Sequence, residues 1–246
     1  MKHLLLAAFA ASLLVACDEP PPPKKKTPPA EKPTAKPESK PEPKPEPKPE
    51  PKPEPKPEPK KELPGPDDAA MKLTAPGEFK VRVATSRGDF TVKVSRDWSP
   101  NGADRFYCLV KAGWYDDVRF FRVMPNFMAQ FGLNGDPASS KKYINTGTIP
   151  DDPVKESNKR GKLSFAMRGP NTRTTQVFIN FGDNSRLDGQ GFSPFGEVVD
   201  GMTVVDSINS EYGDKPNQGA IQTRGNEYLQ QYFANLDYVK TARVVE

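Results

Sequence analysis

Residues 120–132 read Phe120-Phe121-Arg122-Val123-Met124-Pro125-Asn126-Phe127-Met128-Ala129-Gln130-Phe131-Gly132. The pattern predicts two short strands, at 118–124 and 127–132, that are rich in aromatic and apolar side chains. An arginine and a glutamine are unusual among such residues in a protein core. An arginine in this position must either pair with a carboxylate or face a groove, because a buried unpaired charge is costly.

The strands predicted outside this stretch are short and closely spaced. Apolar and polar residues alternate on both sides of a Ser-Arg-Gly-Asp turn at 86–89, which predicts an opening β-hairpin with one buried face. The strands predicted in this way lie at 79–85, 90–94, 163–168, 176–181, 195–199 and 238–245. Their spacing favours a closed barrel or a sandwich over βαβ units.

Three helices are predicted between these strands. Ser99 is a suitable N-cap with Pro100 at the first helical position, and apolar residues recur at helical spacing as far as Gly113. A second helix is predicted at 202–208 and a short third segment between 225 and 235. Cys108, in the first helix, is either a small packed residue or a reactive thiol. We favour packing, because no histidine or second cysteine is available to activate the thiol.

Several sequence blocks occur in an order and spacing that resemble a known family. Besides residues 120–132, the blocks are Gly161-Lys162-Leu163-Ser164-Phe165-Ala166-Met167, Gly169-Pro170-Asn171-Thr172, Gln176-Val177-Phe178-Ile179, Leu187-Asp188-Gly189 and Phe195-Gly196-Glu197-Val198-Val199-Asp200-Gly201-Met202. Together they resemble the cyclophilin-type peptidyl-prolyl cis-trans isomerases over residues 79–245. The resemblance implies a mainly β fold, namely a closed eight-stranded antiparallel barrel capped by two helices, with substrate in a groove on one outer face.

The resemblance also implies the residues of a site. Arg122 is the implied catalytic donor to the prolyl nitrogen region, and Gln130 helps to hold the substrate carbonyl. The implied substrate-binding residues are Phe127, Met128, Phe178 and Leu187 around the proline ring, and Ala166, Met167 and Gln176 along the peptide groove. The reaction needs no nucleophile, titrating base or metal, because it only requires a lower barrier to rotation about an amide bond.

A structural interpretation of the same residues competes with this one. Phe127, Met128 and Phe178 are also compatible with plain barrel core, and Arg122 with a structural ion pair. The chain departs from the family at several groove positions, which puts substrate preference in doubt more than the reaction. These positions are Phe121, Met167, Arg168, Arg186 and Phe192.

The composition limits the chemistry that the chain can perform. Its one histidine, His3, lies in a predicted cleaved signal, and its two cysteines are too few for a structural zinc site. We therefore expect no metal and no cofactor. Lysine and arginine number 36 against 32 acidic residues, and this small excess does not indicate a nucleic-acid partner.

The N-terminus has the pattern of an export signal. Residues 1–16 comprise a charged start, an apolar run too short to span a bilayer, and a small residue before Cys17. Leu14-Val15-Ala16-Cys17 resembles the bacterial lipobox, which implies a lipid on Cys17. The alternative is an ordinary signal peptide followed by an incidental cysteine. The lipid would place the domain on the extracytoplasmic side of the inner or the outer membrane.

Residues 17–77 read as a proline-rich spacer. Of the 29 prolines in the chain, 21 lie in this segment, and Pro-Glu-Pro-Lys repeats five times from Pro41 to Lys60. Proline at every second position excludes helix and sheet and favours polyproline II, at about 3.1 Å per residue. The segment is interpreted as a spacer, a disordered tail or a ligand for a proline-recognition module. We favour the spacer.

These observations predict a membrane-tethered isomerase that assists the folding of exported proteins. The domain is predicted at residues 78–246, and its expected partners are proline-containing segments and, through the lipid, a membrane. We expect a monomer. Two alternatives stay open, a module that binds proline peptides without significant turnover and an envelope tether whose important part is the spacer.

Overall fold

Nine antiparallel strands form the framework of residues 62–144 and 146–245, the part of the chain that the computed structural model describes. They are β1 (Glu78–Thr85), β2 (Gly88–Ser95), β3 (Val118–Arg119), β4 (Arg122–Met124), β5 (Met128–Phe131), β6 (Lys162–Phe165), β7 (Val177–Asn180), β8 (Pro194–Asp200) and β9 (Tyr238–Val245). Their order in the single sheet is β3-β9-β1-β2-β8-β6-β7-β5-β4. The prediction of a mainly β architecture is confirmed.

The predicted closed barrel of eight strands differs from this sheet in strand count and in closure. β3 and β4 lie at the two ends of the strand order, and no backbone ladder joins them within the described residues. Only Phe120 and Phe121 separate them in the chain, where the segment leaves β9 and joins β5. The single strand predicted at 118–124 is therefore two short strands with different partners.

The described residues also form four α-helices and two 3₁₀ helices. They are α1 (Pro100–Ala112), α2 (Pro137–Lys141), α3 (Met202–Asp206), α4 (Gln218–Tyr232) and the 3₁₀ helices Ala69–Met71 and Ser185–Gln190. α1 has the predicted limits, with Ser99 before its first residue and Gly113 in the left-handed conformation after its last. α3 is two residues shorter than predicted.

The third helical prediction, at 225–235, is wrong in its start, because α4 begins at Gln218. Gly225 interrupts α4 with φ of 60° and ψ of −145°, and a β-carbon there would collide with the carbonyl oxygen of Gly135. The close approach of these two glycines sets the kink. The sequence analysis does not predict α2, a five-residue helix whose first turn donates two backbone N–H groups to Asp136.

Alternation along the strands separates two faces of the sheet. One face contributes to the main core, a cluster of buried apolar residues that includes Val123, Ala129, Phe131, Val177 and Ile179. Because successive strand residues point to opposite faces, their neighbours point outward. These outward residues include Arg122, Met128, Gln130 and Phe178.

Residues 62–77, called the arm below, pack against the domain. Met71 and Ala75 are buried in the main core, and the backbone N–H of Ala75 donates to Asp104 Oδ1 over 2.8 Å. The arm is the described end of the predicted spacer. The rest of that spacer, the predicted signal peptide and Cys17 lie outside the described residues.

Cys108 faces the arm from α1. It is buried, and its Sγ donates to the Leu73 carbonyl oxygen at 3.5 Å. Burial raises the pKa of its thiol, which keeps the sulfur protonated and supports the packed interpretation. Within the described residues, no helix has the length and apolar character needed to cross a membrane.

Candidate active site

The outer faces of β4, β5 and β7 carry the polar side chains noted in residues 120–132. Backbone pairing places Arg122 opposite Gln130, and Gln130 opposite Phe178, so the three side chains form a row across adjacent strands. The strand register alone therefore brings a cation, an amide and an aromatic ring to one surface.

A pocket of about 530 Å³ opens over this row, a volume typical of ligand sites. All nine residues implied for the site line it, namely Arg122, Gln130, Phe127, Met128, Ala166, Met167, Gln176, Phe178 and Leu187. They come from β4, β5 and the turn between them, from β7 and the residue before it, from the loop after β6 and from the second 3₁₀ helix. The structure thus brings the predicted residues together, while their individual roles stay predictions.

The floor of the pocket is apolar. Met128, Phe178 and Leu187 are buried there, and three partly buried neighbours that also line the pocket pack against them: Phe127, Ala166 and Phe192. The rings of Phe178 and Phe192 meet edge to face, with centroids 5.8 Å apart. The cluster is separate from the main core, and its shape and chemistry suit a small aliphatic ring.

A chain of polar side chains forms one wall. Arg122 Nη1 donates to Gln130 Oε1 over 3.3 Å, and Gln130 Nε2 donates to Gln176 Oε1 over 2.9 Å. With its oxygen used as an acceptor, each glutamine keeps at least one amide N–H that can donate to a ligand. The wall therefore presents guanidinium and amide donors above the apolar floor.

Arg122 has no carboxylate partner among the described residues. Its recorded contacts are the hydrogen bond to Gln130 and a position 5.9 Å from the centroid of the Phe127 ring. It is partly exposed and lines the pocket. The geometry favours the groove interpretation of Arg122 over the structural ion pair.

Buried amide side chains hold the segments that carry the floor. Asn184 Nδ2 donates to the carbonyl oxygen of Phe127 over 2.8 Å, which fixes the turn between β4 and β5. Asn158 Nδ2 donates to Asp188 Oδ1 over 2.7 Å, which fixes the 3₁₀ helix 185–190. The sequence analysis assigns no role to these residues, although Asp188 lies in the Leu-Asp-Gly block.

Asp188 accepts several of the hydrogen bonds that hold the 3₁₀ helix 185–190. Its Oδ2 accepts from Ser157 Oγ over 2.6 Å, and its Oδ1 accepts from the Asn158 backbone over 2.9 Å. Burial alone would raise the pKa of Asp188, but these hydrogen bonds outweigh burial and hold the pKa below its ordinary value. The carboxylate therefore stays charged near neutral pH and keeps its donors in place.

The positions that depart from the family pattern differ in their surroundings. Phe121 is buried in a second cluster with Leu133 and α4 residues, and it does not line the pocket. Met167 and Arg168 do line it. Arg186 is exposed, with its guanidinium 4.8 Å from the centroid of the Phe127 ring.

The sequence analysis does not predict a further part of the pocket lining. It is formed by residues of the loop after α2, of the segment before β7, and of the first half of α4. These residues are Tyr143, Ile144, Thr148, Thr172, Thr174, Gln218 and Gln222. They lie in loops or near an unpredicted helix start, where no strand periodicity marks a surface.

The described residues place no group of three or more histidine, cysteine, aspartate or glutamate side chains so that it could bind a metal ion. The pocket lining itself contains arginine, amide, hydroxyl, thioether and apolar side chains. Such a surface can bind a peptide through donors and apolar contacts.

Comparison with known proteins identifies the family of this chain. The sequence model of the family described as cyclophilin type peptidyl-prolyl cis-trans isomerase/CLD matches residues 80–225. A probable peptidyl-prolyl cis-trans isomerase of Brucella abortus is 35% identical over 158 residues, which cover 60% of this chain and 79% of that protein. A peptidyl-prolyl cis-trans isomerase of Acinetobacter baylyi is 33% identical over 147 residues, covering 56% and 77%.

A solved structure supports the fold. The crystal structure of a cyclophilin-type peptidyl-prolyl cis-trans isomerase from Cryptosporidium parvum aligns with a TM-score of 0.52 and 23% identity. The alignment covers 69% of this chain and 98% of that one, which confirms a cyclophilin-like fold. The family match spans most of the described domain, and the chain therefore belongs to the cyclophilin-type peptidyl-prolyl cis-trans isomerases.

Proposed function

We propose that the pocket binds proline-containing segments of exported proteins and isomerises them with Arg122 as the catalytic residue. The observation that carries this proposal is the position of Arg122, which lines the pocket above an apolar floor and pairs with no described carboxylate. The other implied residues line the same pocket, so a single bound peptide can reach all of them.

The mechanism needs only a lower barrier to rotation. Rotation about the bond before proline costs about 18–20 kcal/mol, because the nitrogen lone pair is delocalised into the carbonyl. A donor that binds the lone pair of a pyramidal nitrogen stabilises the twisted amide more than either planar form. Arg122 supplies that donor, while Gln130 has a second amide N–H for the substrate carbonyl.

The apolar floor orients the substrate for this step. Met128, Phe178 and Leu187 present a buried surface to the proline ring, and burial of that ring from water favours binding. With the ring held, rotation moves the carbonyl side of the bond past the amide donors of the wall. Met167 and Gln176, on the pocket lining, then contact the peptide on either side.

Arg122→Ala in a chain that keeps the whole described region tests this role. We expect turnover of a short proline peptide to fall about a hundredfold, equivalent to about 2.7 kcal/mol of transition-state stabilisation. Protease-coupled turnover and calorimetric peptide binding are measured on the same preparation. Unchanged turnover would refute the catalytic role of Arg122. Turnover no faster than the uncatalysed rate in the wild type would support the rival hypothesis of a module that binds proline peptides without catalysis.

The proposed location is the cell envelope, with the chain anchored through lipid on Cys17 and the domain on the extracytoplasmic side. The support is the export-signal pattern of residues 1–16 and the lipobox-like Leu14-Val15-Ala16-Cys17. The repeat from Pro41 to Lys60 then acts as the spacer, about 60 Å long if extended at about 3.1 Å per residue. These residues lie outside the described part of the chain.

Cys17→Ser tests the anchor. Without the thiol no thioether to diacylglycerol can form, so we expect the variant to leave the membrane fraction while its isomerase activity is retained. Ser12→Ala, a change within the signal that spares the lipobox, serves as the matched control. If the Cys17→Ser variant is recovered in the membrane fraction in the same amount as the wild type, lipid attachment at this residue is refuted. The isomerase proposal is not affected by that result.

A further inference from the structure

Lys142 and Tyr143 connect the arm to the loop that follows α2. Lys142 Nζ donates to Glu62 Oε1 and to the Leu63 carbonyl oxygen, each over 2.8 Å. The hydroxyl of Tyr143 donates to the Pro64 carbonyl oxygen over 3.3 Å. Consecutive residues of one loop thus bind consecutive residues of the arm.

The same loop forms one side of the substrate pocket. Tyr143, Ile144 and Thr148 line the pocket and are called the groove wall below. Pro66 of the arm packs on Gly147, where a β-carbon would collide with the proline ring and φ is +63°. The loop is therefore enclosed between the arm and the pocket.

Tyr143 is the residue that both surfaces share. It is only 5% exposed, and its ring packs edge-on against Trp114 with the centroids 4.7 Å apart. Trp114 Nε1 donates to the Gly132 carbonyl oxygen over 3.0 Å, just beyond β5. Burial raises the pKa of Tyr143 to about 12, so its hydroxyl stays a donor to Pro64 at neutral pH.

We propose that the arm is a positioning element for catalysis, and that its contacts with Lys142 and Tyr143 hold the groove wall in the substrate-binding position. This inference rests on the proposed function, because it concerns the same pocket. The arm itself does not line that pocket and acts through the loop.

The proposal predicts an effect on affinity rather than on the chemical step. If the arm contacts are lost, fewer molecules have the groove wall in place, and apparent affinity falls in proportion to that fraction. Arg122 and Gln130 belong to β4 and β5 and not to the loop, so they act on bound substrate as before. The expected signature is a higher KM with an unchanged kcat.

Lys142→Met in the full chain is the first test, because it removes both bonds from Lys142 to the arm and keeps a side chain of similar length. We expect KM for a proline peptide to rise about three- to tenfold, because a smaller fraction of the molecules has the groove wall in the substrate-binding position. We expect kcat to stay within about twofold of the wild-type value. The second variant replaces residues 62–66 by five Gly and Ser residues. This removes the Glu62 carboxylate and the Pro66 ring, and it gives the backbone acceptors at 63 and 64 more conformational freedom. The matched control is Lys155→Met, because Lys155 also donates to a backbone oxygen, that of Asp97, but touches neither arm nor pocket.

A double-mutant cycle decides between positioning and general stabilisation. In the chain with replaced residues 62–66, Lys142→Met should raise KM by a smaller factor than in the wild-type chain, because the Glu62 carboxylate is absent and the backbone acceptor at 63 is no longer held in place. Additive effects, or an unchanged KM with a lowered melting temperature, would overturn the inference. A KM shift in the arm variants together with full turnover in Arg122→Ala would instead uphold the arm and refute the role proposed for Arg122.

Discussion

Arg122 and Arg173 occupy contrasting environments in the same domain. Arg173 is only 2% exposed, and it donates to Asp152 Oδ2 over 2.9 Å and to Ser99 Oγ over 3.3 Å. Arg122 is partly exposed, and its one recorded hydrogen bond goes to the neutral amide of Gln130. One guanidinium is thus enclosed by charge and hydroxyl partners, whereas the other is open to a pocket.

The partner of Arg173 is itself tied to the start of α1. Asp152 accepts hydrogen bonds from the side chain of Ser99 and from the backbone N–H groups of Asn101 and Gly102, over 2.6 to 3.0 Å. Arg173 Nε also lies 3.3 Å from Asp151 Oδ1, but the two atoms are not aligned as a hydrogen bond, so we count this contact as electrostatic only. Arg173 and Asp152 together join α1 to the segment before β7.

The contrast separates a structural charge from a functional one. A buried charge is tolerated when it is paired and hydrogen-bonded, and Arg173 meets that condition. A charge without an ionic partner is tolerated where solvent or a ligand can reach it. Arg122 meets this second condition, because it is partly exposed and lines the pocket. Sequence alone leaves both roles open for an arginine among apolar residues.

The largest expected effect is on stability. Arg173→Met should lower the free energy of unfolding by about 3–5 kcal/mol, because it leaves the buried carboxylate of Asp152 without its cation. The matched change, Arg122→Met, should cost less than about 1 kcal/mol, since it removes one bond to a neutral partner. Urea denaturation of both variants measures the difference. If both variants lose the same free energy of unfolding, the distinction between a structural and a functional arginine is wrong.

A second expected effect is the acid sensitivity of the Arg173 region. Burial alone would raise the pKa of Asp152, but hydrogen bonds from Ser99, the start of α1 and Arg173 hold it below its ordinary value. A carboxyl whose pKa is lower in the folded state stabilises the fold above its unfolded pKa, about 3.9. That contribution is lost as pH falls through the lower folded pKa.

Asp152→Asn tests this assignment. We expect the variant to be less stable than the wild type at pH 7, with a difference that shrinks as the pH falls below about 4. The exposed Asp200 provides the control, because Asp200→Asn should change the free energy of unfolding at pH 7 by less than about 0.5 kcal/mol. A constant difference across the acid range would assign the effect of Asp152 to packing instead of charge.

The smallest expected effect concerns a third arginine, Arg168, which is exposed and lines the pocket. The described lining contains Arg122 and Arg168 and no aspartate or glutamate. A glutamate before the substrate proline should therefore be favoured over alanine, by about 1.4- to 5-fold in kcat/KM, the size of an exposed ion pair. Arg168→Gln should abolish that preference, and added salt should weaken it.

Arg224→Gln is the control for this comparison, because Arg224 is exposed on α4 and lies outside the pocket lining. The Arg224→Gln variant should prefer glutamate over alanine before the substrate proline by the same factor as the wild type. A glutamate preference that survives Arg168→Gln would refute the assignment to Arg168 and leave Arg122 as the other arginine of the described lining.

The sequence predicted the strand positions and the helix α1 well, because these depend on local periodicity and capping. Through the family resemblance it also gave nine residues that line the pocket, although their roles stay predictions. It did not predict α2 or the early start of α4. The kink at Gly225 depends on contact with Gly135, ninety residues earlier in the chain.

What the sequence by itself determined is which residues face the same way. Alternation puts Arg122 and Met124 on one face of β4, and Met128 and Gln130 on one face of β5. The register of this local hairpin then brings the two faces together. Only the tertiary structure decided which arginine has a carboxylate partner, that Phe121 packs with α4, and that the arm binds the loop of Tyr143. The physical reason is that period and propensity act over a few residues, whereas ion pairing, packing and pocket closure join segments far apart in the chain.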